Sequence, residues 1–153
     1  MVALLLACGT ALLTACDNKP TPTTASPTPN PRLIYELREK CGKDASDWFK
    51  REHGDQVDAV PTIVTVQNEY TNHYNEHLNR CYAIVLNAHL ISSAQHKIHS
   101  IKSASLVDVN ENHEVGTYFI NSESTTPLKC SVDDHQCGSI DEWQQLSAPY
   151  MNQ

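Results

Sequence analysis

The chain has 153 residues, of which 40% are hydrophobic and 19% charged, a composition that is ordinary for a globular domain and argues against wholesale disorder. Its 18 acidic and 11 basic residues give a formal net charge of −7, which would repel a phosphate backbone and argues against nucleic acid as a partner. A metal ion or a cationic protein would be attracted, although the same charge can serve only to keep a domain soluble.

The first fifteen residues differ from the rest of the chain because they carry no charge. Two stretches, residues 2–7 and 11–15, are almost wholly apolar or small. A permanent membrane-spanning helix needs about 20 apolar residues to cross a hydrocarbon core of roughly 30 Å, so these stretches are too short. Their length is typical of the apolar region of a secretory signal peptide, which we expect over residues 1–15.

The motif Leu13-Thr14-Ala15-Cys16 follows directly and consists of a branched apolar residue, two small residues and a cysteine. It resembles the lipobox of bacterial lipoproteins of a small, uncharacterised envelope type. The resemblance implies cleavage before Cys16 and attachment of lipid to its sulfur. It also implies anchoring to the cell membrane or outer membrane, with the domain facing the periplasm or the cell exterior.

Three further features bear on this signal. Leu5-Leu6-Ala7-Cys8 is a poorer match, because Leu6 is too large for its position and few apolar residues precede it. No basic residue precedes Cys16, whereas such signals normally open with Lys or Arg, so we expect the true start to lie upstream of Met1. Asp17 resembles the inner-membrane retention signal of enteric bacterial lipoproteins.

Residues 16–31 are predicted to be the lipidated cysteine and a stalk. Five of the eight prolines fall in residues 17–31, which contain no large apolar side chain. Such a segment has nothing to bury and favours extended, polyproline-like conformations. At about 3.1 Å per residue it could hold the following domain up to roughly 45 Å from the bilayer. A single domain is predicted over residues 32–153.

The domain opens with a predicted helix over residues 33–53. Apolar residues recur every three or four positions and form one face: Ile34, Leu37, Cys41, Ala45 and Trp48. Cationic side chains lie in the last turn, where the helix dipole favours them, and Gly54 can close the helix. Gly42 lies inside this segment, and one expectation is that it splits the segment into two shorter helices.

Residues 62–75 carry two overlapping patterns. One face of a strand would carry Val64, Val66, Tyr70 and Tyr74. One face of a helix would carry Ile63, Val66, Tyr70, Tyr74 and Leu78. The β-branched and aromatic content, together with asparagines that disfavour helix interiors, predicts a strand.

Two antiparallel hairpins follow from the alternation of apolar and polar residues. Residues 80–90 are apolar on both faces, as a central strand would be, so residues 76–79 form the first hairpin turn. The second hairpin comprises residues 103–109, a turn at 110–113, and residues 115–121. Residues 92–100 have no clear pattern.

A short C-terminal helix is predicted before Pro149. Ser139 and Glu142 form a capping box, and Ile140, Trp143 and Leu146 line one side. The predicted fold class is therefore α+β. An antiparallel sheet of two hairpins packs against an N-terminal and a short C-terminal helix, and disulfides tie the domain.

Four cysteines remain in the domain: Cys41, Cys81, Cys130 and Cys137. An even number in an exported domain indicates two disulfides. Among the three possible connectivities we favour Cys41–Cys81 and Cys130–Cys137. On the chain-entropy model they contribute about 4 and about 2.5 kcal/mol, so loss of the first should destabilise the domain more. A zinc site with His135 is the alternative, but close cysteine pairs typical of structural zinc are absent.

Histidine is abundant, and two pairs have a spacing that would allow metal binding on a helix: His73 with His77, and His96 with His99. If residues 62–75 form a strand, the turn separates His73 from His77. No acidic ligand has convincing spacing, and the zinc-protease helix motif is absent. A metal site is therefore the weaker interpretation, and no cofactor is predicted.

The run Asp133-Asp134-His135 lies inside the predicted Cys130–Cys137 loop and is the candidate binding surface. A disulfide-tied loop would hold these polar side chains in a preorganised arrangement, although a plain polar turn has the same pattern. Trp48 and Trp143 have helical core spacing and are expected to pack in the core.

No pattern in the sequence predicts catalysis, since no serine stands in a glycine-flanked strand-turn-helix motif. The predicted function is therefore a non-enzymatic protein-binding domain tethered to a membrane through its lipid, possible partners being cationic envelope proteins. An inhibitor or immunity protein is a specific variant. The alternatives are a metal-binding lipoprotein that uses the histidines and a small hydrolase.

Overall fold

The computed structural model describes residues 30–54, 63–92 and 98–152. The predicted signal peptide, Cys16 and the stalk as far as residue 29 lie outside the described residues. The described residues form an N-terminal helix, an antiparallel sheet and a short C-terminal helix, which confirms the predicted α+β fold class.

Helix α1 (Pro31–His53) begins two residues before the predicted start. Pro31 occupies the first helical position, where its missing N–H removes no bond, and the Asn30 side chain accepts from the Arg32 N–H at 3.1 Å. Gly54 closes the helix, its N–H donating to the Lys50 carbonyl at 2.9 Å.

Gly42 does not divide the helix, contrary to one of the sequence expectations. Glycine in a helix interior costs about 1 kcal/mol relative to alanine, which tertiary contacts readily offset. Here the flanking Cys41 and Ala45 are buried against the sheet. On the outer side, the i,i+4 ion pair Lys40–Asp44 spans the glycine, and a second pair, Lys43–Asp47, follows it directly.

The sheet is a meander in which every neighbouring pair of strands is antiparallel and the spatial order equals the chain order. Its strands are β1 (Ile63–Asn75), β2 (Arg80–Ser92), β3 (Ile98–Asp108), β4 (His113–Asn121), β5 (Lys129–Val132) and β6 (His135–Gln136). The two predicted hairpins are β1–β2 and β3–β4. Strand β3 begins five residues earlier than predicted, because its first residues pair with the end of β2.

A third hairpin, β5–β6, was not predicted from the sequence. Each of its strands is too short to show an alternating pattern, since β5 has four residues and β6 has two. The hairpin forms because β5 pairs with β4 through residues 129–132, opposite residues 116–119. Tertiary pairing therefore decides this element.

A register shift in β1 separates residues that the sequence pattern placed on one face. Tyr70 and Tyr74 lie opposite Val85 and Cys81 of β2. The shift between residues 65 and 67 moves Val64 to the opposite face, where it pairs with Leu90 and is 52% exposed. Because side chains alternate along a strand, one extra residue reverses the face of everything beyond it.

The two faces of the sheet carry separate cores, each covered by one helix. On the face that we call the α1 face, the buried residues are Cys41, Ala45, Trp48, Tyr74, Cys81, Ala83, Val85, Val107 and Val109. On the opposite α2 face they are Tyr82, Ala104, Leu106, Tyr118, Cys130, Val132 and Trp143. Both tryptophans are buried, as predicted. β2 contributes to both cores, which explains why its sequence is apolar on both sides.

Helix α2 (Ile140–Met151) begins at the predicted capping box. Ser139 Oγ accepts from the Glu142 N–H at 3.2 Å, while Glu142 reaches back to the Gly138 N–H at 2.6 Å. The helix continues beyond Pro149, where the sequence predicted its end. Asn75 of β1 donates to the carbonyls of Pro149 and Tyr150 at 2.8 and 3.2 Å, and so satisfies groups that a helix end leaves unpaired.

Both predicted disulfides are present. Cys41–Cys81 joins α1 to β2, with Cα atoms 5.3 Å apart and a sequence separation of 40. Cys130–Cys137 closes the β5–β6 hairpin, with a separation of seven. The first therefore fixes a helix to the sheet, and the second ties a local loop.

Candidate binding surface

Asp133, Asp134 and His135 lie at the tip of the β5–β6 hairpin, and all three are exposed, as the sequence predicted. Asp133 has a left-handed backbone, with φ at 47°, which turns the chain between the two short strands. Its N–H donates to the Val115 carbonyl at 2.7 Å. The tip is thus attached to β4 on one side and closed by Cys130–Cys137 below.

The hairpin tip forms one wall of an open groove of about 590 Å³. We call it the acidic groove, and it is lined by His113, Glu114, Val115, Asp133, Asp134 and His135. The start of β4 supplies the first three residues. In an antiparallel meander alternate turns lie at the same end of the sheet, so the β3–β4 and β5–β6 turns come together. Had the third hairpin been predicted, this rule would have identified His113 and Glu114 as neighbours of the β5–β6 tip.

The two aspartates of the acidic groove differ in how they are engaged. Asp133 accepts a hydrogen bond from the Tyr150 hydroxyl of α2. Burial, together with this bond and the carboxylate charge, raises the pKa of Tyr150 to about 12. Within the part of the chain that the structure describes, no hydrogen bond or ion pair engages Asp134. Asp134 is therefore the more available anion for a partner.

A charged pair on the neighbouring turn is structural. Asp108 is 2% exposed and pairs with the Arg80 guanidinium, which raises the pKa of Arg80. The other oxygen of Asp108 accepts from the N–H groups of Asn110 and Glu111 at 3.1 and 3.2 Å. These contacts occupy the lone pairs of Asp108, which therefore stabilises the β3–β4 turn. The sequence pattern did not predict this structural role of Asp108.

The histidine candidates for a metal are not brought together. His73 lies on β1 opposite Tyr82, and His77 is exposed in the following turn. His99 is on β3 near Glu123, at 3.3 Å, while His96 lies outside the described residues. Within residues 30–54, 63–92 and 98–152, no group of three or more His, Cys, Asp or Glu side chains has metal-binding geometry. The alternative zinc site with His135 lacks free cysteine ligands, because Cys130 and Cys137 form a disulfide.

Comparisons with models of protein families, with curated proteins and with solved structures find no match to this chain. Among the helices of the described residues, none combines the length and the apolar character that crossing a bilayer requires.

Proposed function

We propose that this protein is an envelope lipoprotein whose domain binds a cationic envelope protein through the acidic groove. The observation that carries the proposal is an exposed carboxylate, Asp134, on a hairpin tip that a disulfide holds in place. A preorganised tip loses little conformational entropy on binding. The formal net charge of −7 adds long-range attraction for a basic partner.

The membrane attachment in this proposal rests on the resemblance of Leu13-Thr14-Ala15-Cys16 to a lipobox. Two or more acyl chains, at about 0.8 kcal/mol per buried CH₂, would hold the protein stably on a membrane. The proline-rich segment after Cys16 would then present the domain at a distance from the bilayer. An inhibitor or immunity protein, which blocks a hydrolase by occupying its surface, is one form that such a tethered domain takes.

The partner is to be identified by affinity capture from an envelope extract of the source cell, with the mature chain as bait. Surface plasmon resonance at low and at physiological ionic strength then gives its association rates. We expect the association rate to fall as the screening length shrinks from about 30 Å to about 8 Å. A partner whose kinetics do not respond to salt would contradict electrostatic recognition, and failure to capture any specific partner would contradict the binding function.

The site is tested by the double substitution Asp133→Asn and Asp134→Asn, which keeps shape and removes two charges. We expect a lower association rate than in a control variant, Glu36→Gln with Glu123→Gln, that removes two exposed carboxylates elsewhere. Equal losses in both variants would mean that only net charge matters and that the acidic groove is not the site.

The anchor is tested separately. Cys16→Ala should abolish labelling by radioactive palmitate and release the protein from membranes, whereas Cys8→Ala should leave both unchanged. Labelling that survives Cys16→Ala would overturn the lipobox assignment. Loss in the Cys8→Ala variant would move the anchor to that cysteine.

A further inference from the structure

The outer side of β1 is a strand edge that no other described strand covers. β1 is the first strand in the spatial order of the sheet, and it pairs with β2 on its inner side. Among the described residues, no backbone hydrogen bond from outside β2 reaches residues 68–72. An edge of this kind presents a row of backbone N–H and C=O groups with which a further strand can pair.

The part of this edge that is suited to pairing has defined ends. At one end, the register shift between residues 65 and 67 interrupts regular pairing. At the other end, Tyr74 and Asn75 are buried, and Asn75 donates to carbonyls in the last turn of α2. We call residues 68–72, which lie between these limits, the open edge. Its central residue is Tyr70.

The open edge lacks several features by which proteins prevent pairing between sheet edges. Proline, lysine and a bulge are common devices, and residues 68–72 contain none of them. Glu69 is the one charged residue of this stretch. Tyr70 stacks on Phe49 of α1 with ring centroids 4.5 Å apart, and both residues are half-buried. The centre of the open edge therefore carries an aromatic pair, and aromatic side chains are enriched at the centres of protein interfaces.

Two segments of this chain outside the described residues could be considered for the open edge, and neither suits it. Residues 17–29 include four prolines, which have no N–H to donate to a strand ladder. Residues 55–62 lead directly into β1, and eight residues are too few to turn back and extend as far as residue 72. A strand for the open edge is therefore better supplied by another molecule.

A second copy of the open edge is complementary to the first. In an antiparallel pair centred on Tyr70, this residue faces Tyr70 of the second copy, and Asn68 faces Asn72. Glu69 faces Thr71, so no like charges stand directly opposite each other. Aromatic pairs and polar pairs across neighbouring strands are favourable, whereas like charges directly opposite are unfavourable.

We propose that two copies of this chain associate through the open edge, as an antiparallel pair of β1 strands about a two-fold axis at Tyr70. The two sheets then form one continuous sheet with six strands from each copy. At its outer ends lie the β6 strands, which have two residues each, so the assembly closes as a dimer. The acidic groove lies at the opposite end of the strand order, and each dimer presents two such grooves.

Sedimentation velocity tests the dimer with the mature chain, in which Cys16→Ser prevents both lipid attachment and a disulfide between copies. We expect the sedimenting mass to double with a dissociation constant on the order of 100 µM, because the interface is small. Since both copies are acidic, higher salt should tighten the dimer about twofold to threefold, the reverse of the response expected for a cationic partner. A mass that stays at one copy up to about 1 mM, or a dimer that salt weakens, would overturn the proposal.

Opposite charges at Thr71 test which residues face each other. Thr71 is exposed and would lie opposite Glu69 of the second copy. Thr71→Lys should therefore tighten the dimer and Thr71→Glu should weaken it, each by about threefold to tenfold. Thr125, an exposed threonine between β4 and β5, is the matched control, because Thr125→Lys and Thr125→Glu make the same changes in net charge. Equal effects at the two positions would reduce the result to net charge and contradict this interface.

Cysteine cross-linking tests the register independently. When a Glu69→Cys chain is mixed with a Thr71→Cys chain, mild oxidation should join them, because directly opposite Cα atoms lie about 4.5–5.5 Å apart, within reach of a disulfide. A mixture of Glu69→Cys with Thr125→Cys should give less than about a tenth of that yield. Equal yields would contradict pairing about Tyr70. A chain that stays a single copy, but whose captured partner binds less well after Thr71→Glu than after Thr125→Glu, would assign the edge to a strand of another protein and overturn the proposal.

Discussion

The α1 face and the α2 face of the sheet are closed with the same three components, one helix, one buried tryptophan and one disulfide, but in different arrangements. On the α1 face, Cys41–Cys81 ties the helix directly to the sheet, and Trp48 bonds to Asn112 on a turn. On the α2 face, Cys130–Cys137 ties a hairpin instead, and the Trp143 Nε1 is buried without a partner in the described structure.

This difference indicates how each helix is held. Helix α1 has most of its surface exposed and depends on a covalent bond and one seam of residues. No disulfide cysteine lies within helix α2. The helix is held instead by the burial of Trp143 and by Asn75 of β1, which donates to carbonyls at its C-terminal end. A cross-link and a buried polar cap thus serve as alternative means of attaching a helix to one sheet.

The largest effect should come from removing the disulfides. The pair Cys41→Ala with Cys81→Ala should lower the free energy of unfolding by about 4 kcal/mol, and Cys130→Ala with Cys137→Ala by about 2.5 kcal/mol, because the longer loop constrains the unfolded chain more. Urea unfolding under two-state conditions measures both. Equal losses would indicate that native-state contacts, and not chain entropy, set the contribution of each bridge.

The cap of α2 is tested by Asn75→Ala. Asn75 is fully buried, donates to two carbonyls and accepts from the Leu78 N–H at 2.9 Å. Its loss leaves these groups unpaired, so we expect the free energy of unfolding to fall by about 2–3 kcal/mol and hydrogen exchange to speed up in the last turn of α2. Asn72→Ala, on the α1 face of the same strand, is the control. Unchanged exchange in α2 would contradict the capping role.

The two tryptophans give a direct comparison of the cores. Trp48→Phe removes ring volume and a hydrogen bond, whereas Trp143→Phe removes similar volume and an N–H that has no partner among the described residues. The second should therefore be less destabilising by about 1 kcal/mol, as measured by denaturant unfolding. The reverse order would mean that the indole of Trp143 fills its site so closely that volume outweighs the hydrogen bond.

The smallest effect concerns Tyr150, whose hydroxyl links α2 to Asp133. Tyr150→Phe should cost about 1 kcal/mol at neutral pH. Because the folded pKa, about 12, lies above the ordinary value of 10.0, the folded state retains this proton longer, and stability should fall as the pH rises from about 10 to about 12. Tyr150→Phe should remove that part of the fall. Asp133→Asn should lower the tyrosine titration midpoint only in part, since burial is the larger cause.

Much of the fold could be predicted because its signals are local. The three- and four-residue spacing around Cys41 and Trp48 defined α1, and the capping box at Ser139 defined the start of α2. Alternation and turn residues indicated β1 to β4. Two disulfides were predicted from the even number of cysteines. The pairing was favoured because Cys130–Cys137 closes a short loop, which leaves Cys41–Cys81 to join the first helix to the central strand. The exposed tip at Asp133 and Asp134 was predicted for the same reason, since polar residues inside a short disulfide loop have little to bury against.

The amino-acid sequence by itself determined the two helices and the strands β1 to β4, since those choices depend on periodicity, turn residues and capping within a few residues. Only the tertiary structure decided the face that each helix covers, the side to which Val64 turns, the continuity of α1 through Gly42 and the existence of β5–β6. The strand features depend on pairing between distant residues, where one shift in register reverses every side chain beyond it, and the helix features depend on packing against the sheet. No local pattern records either choice.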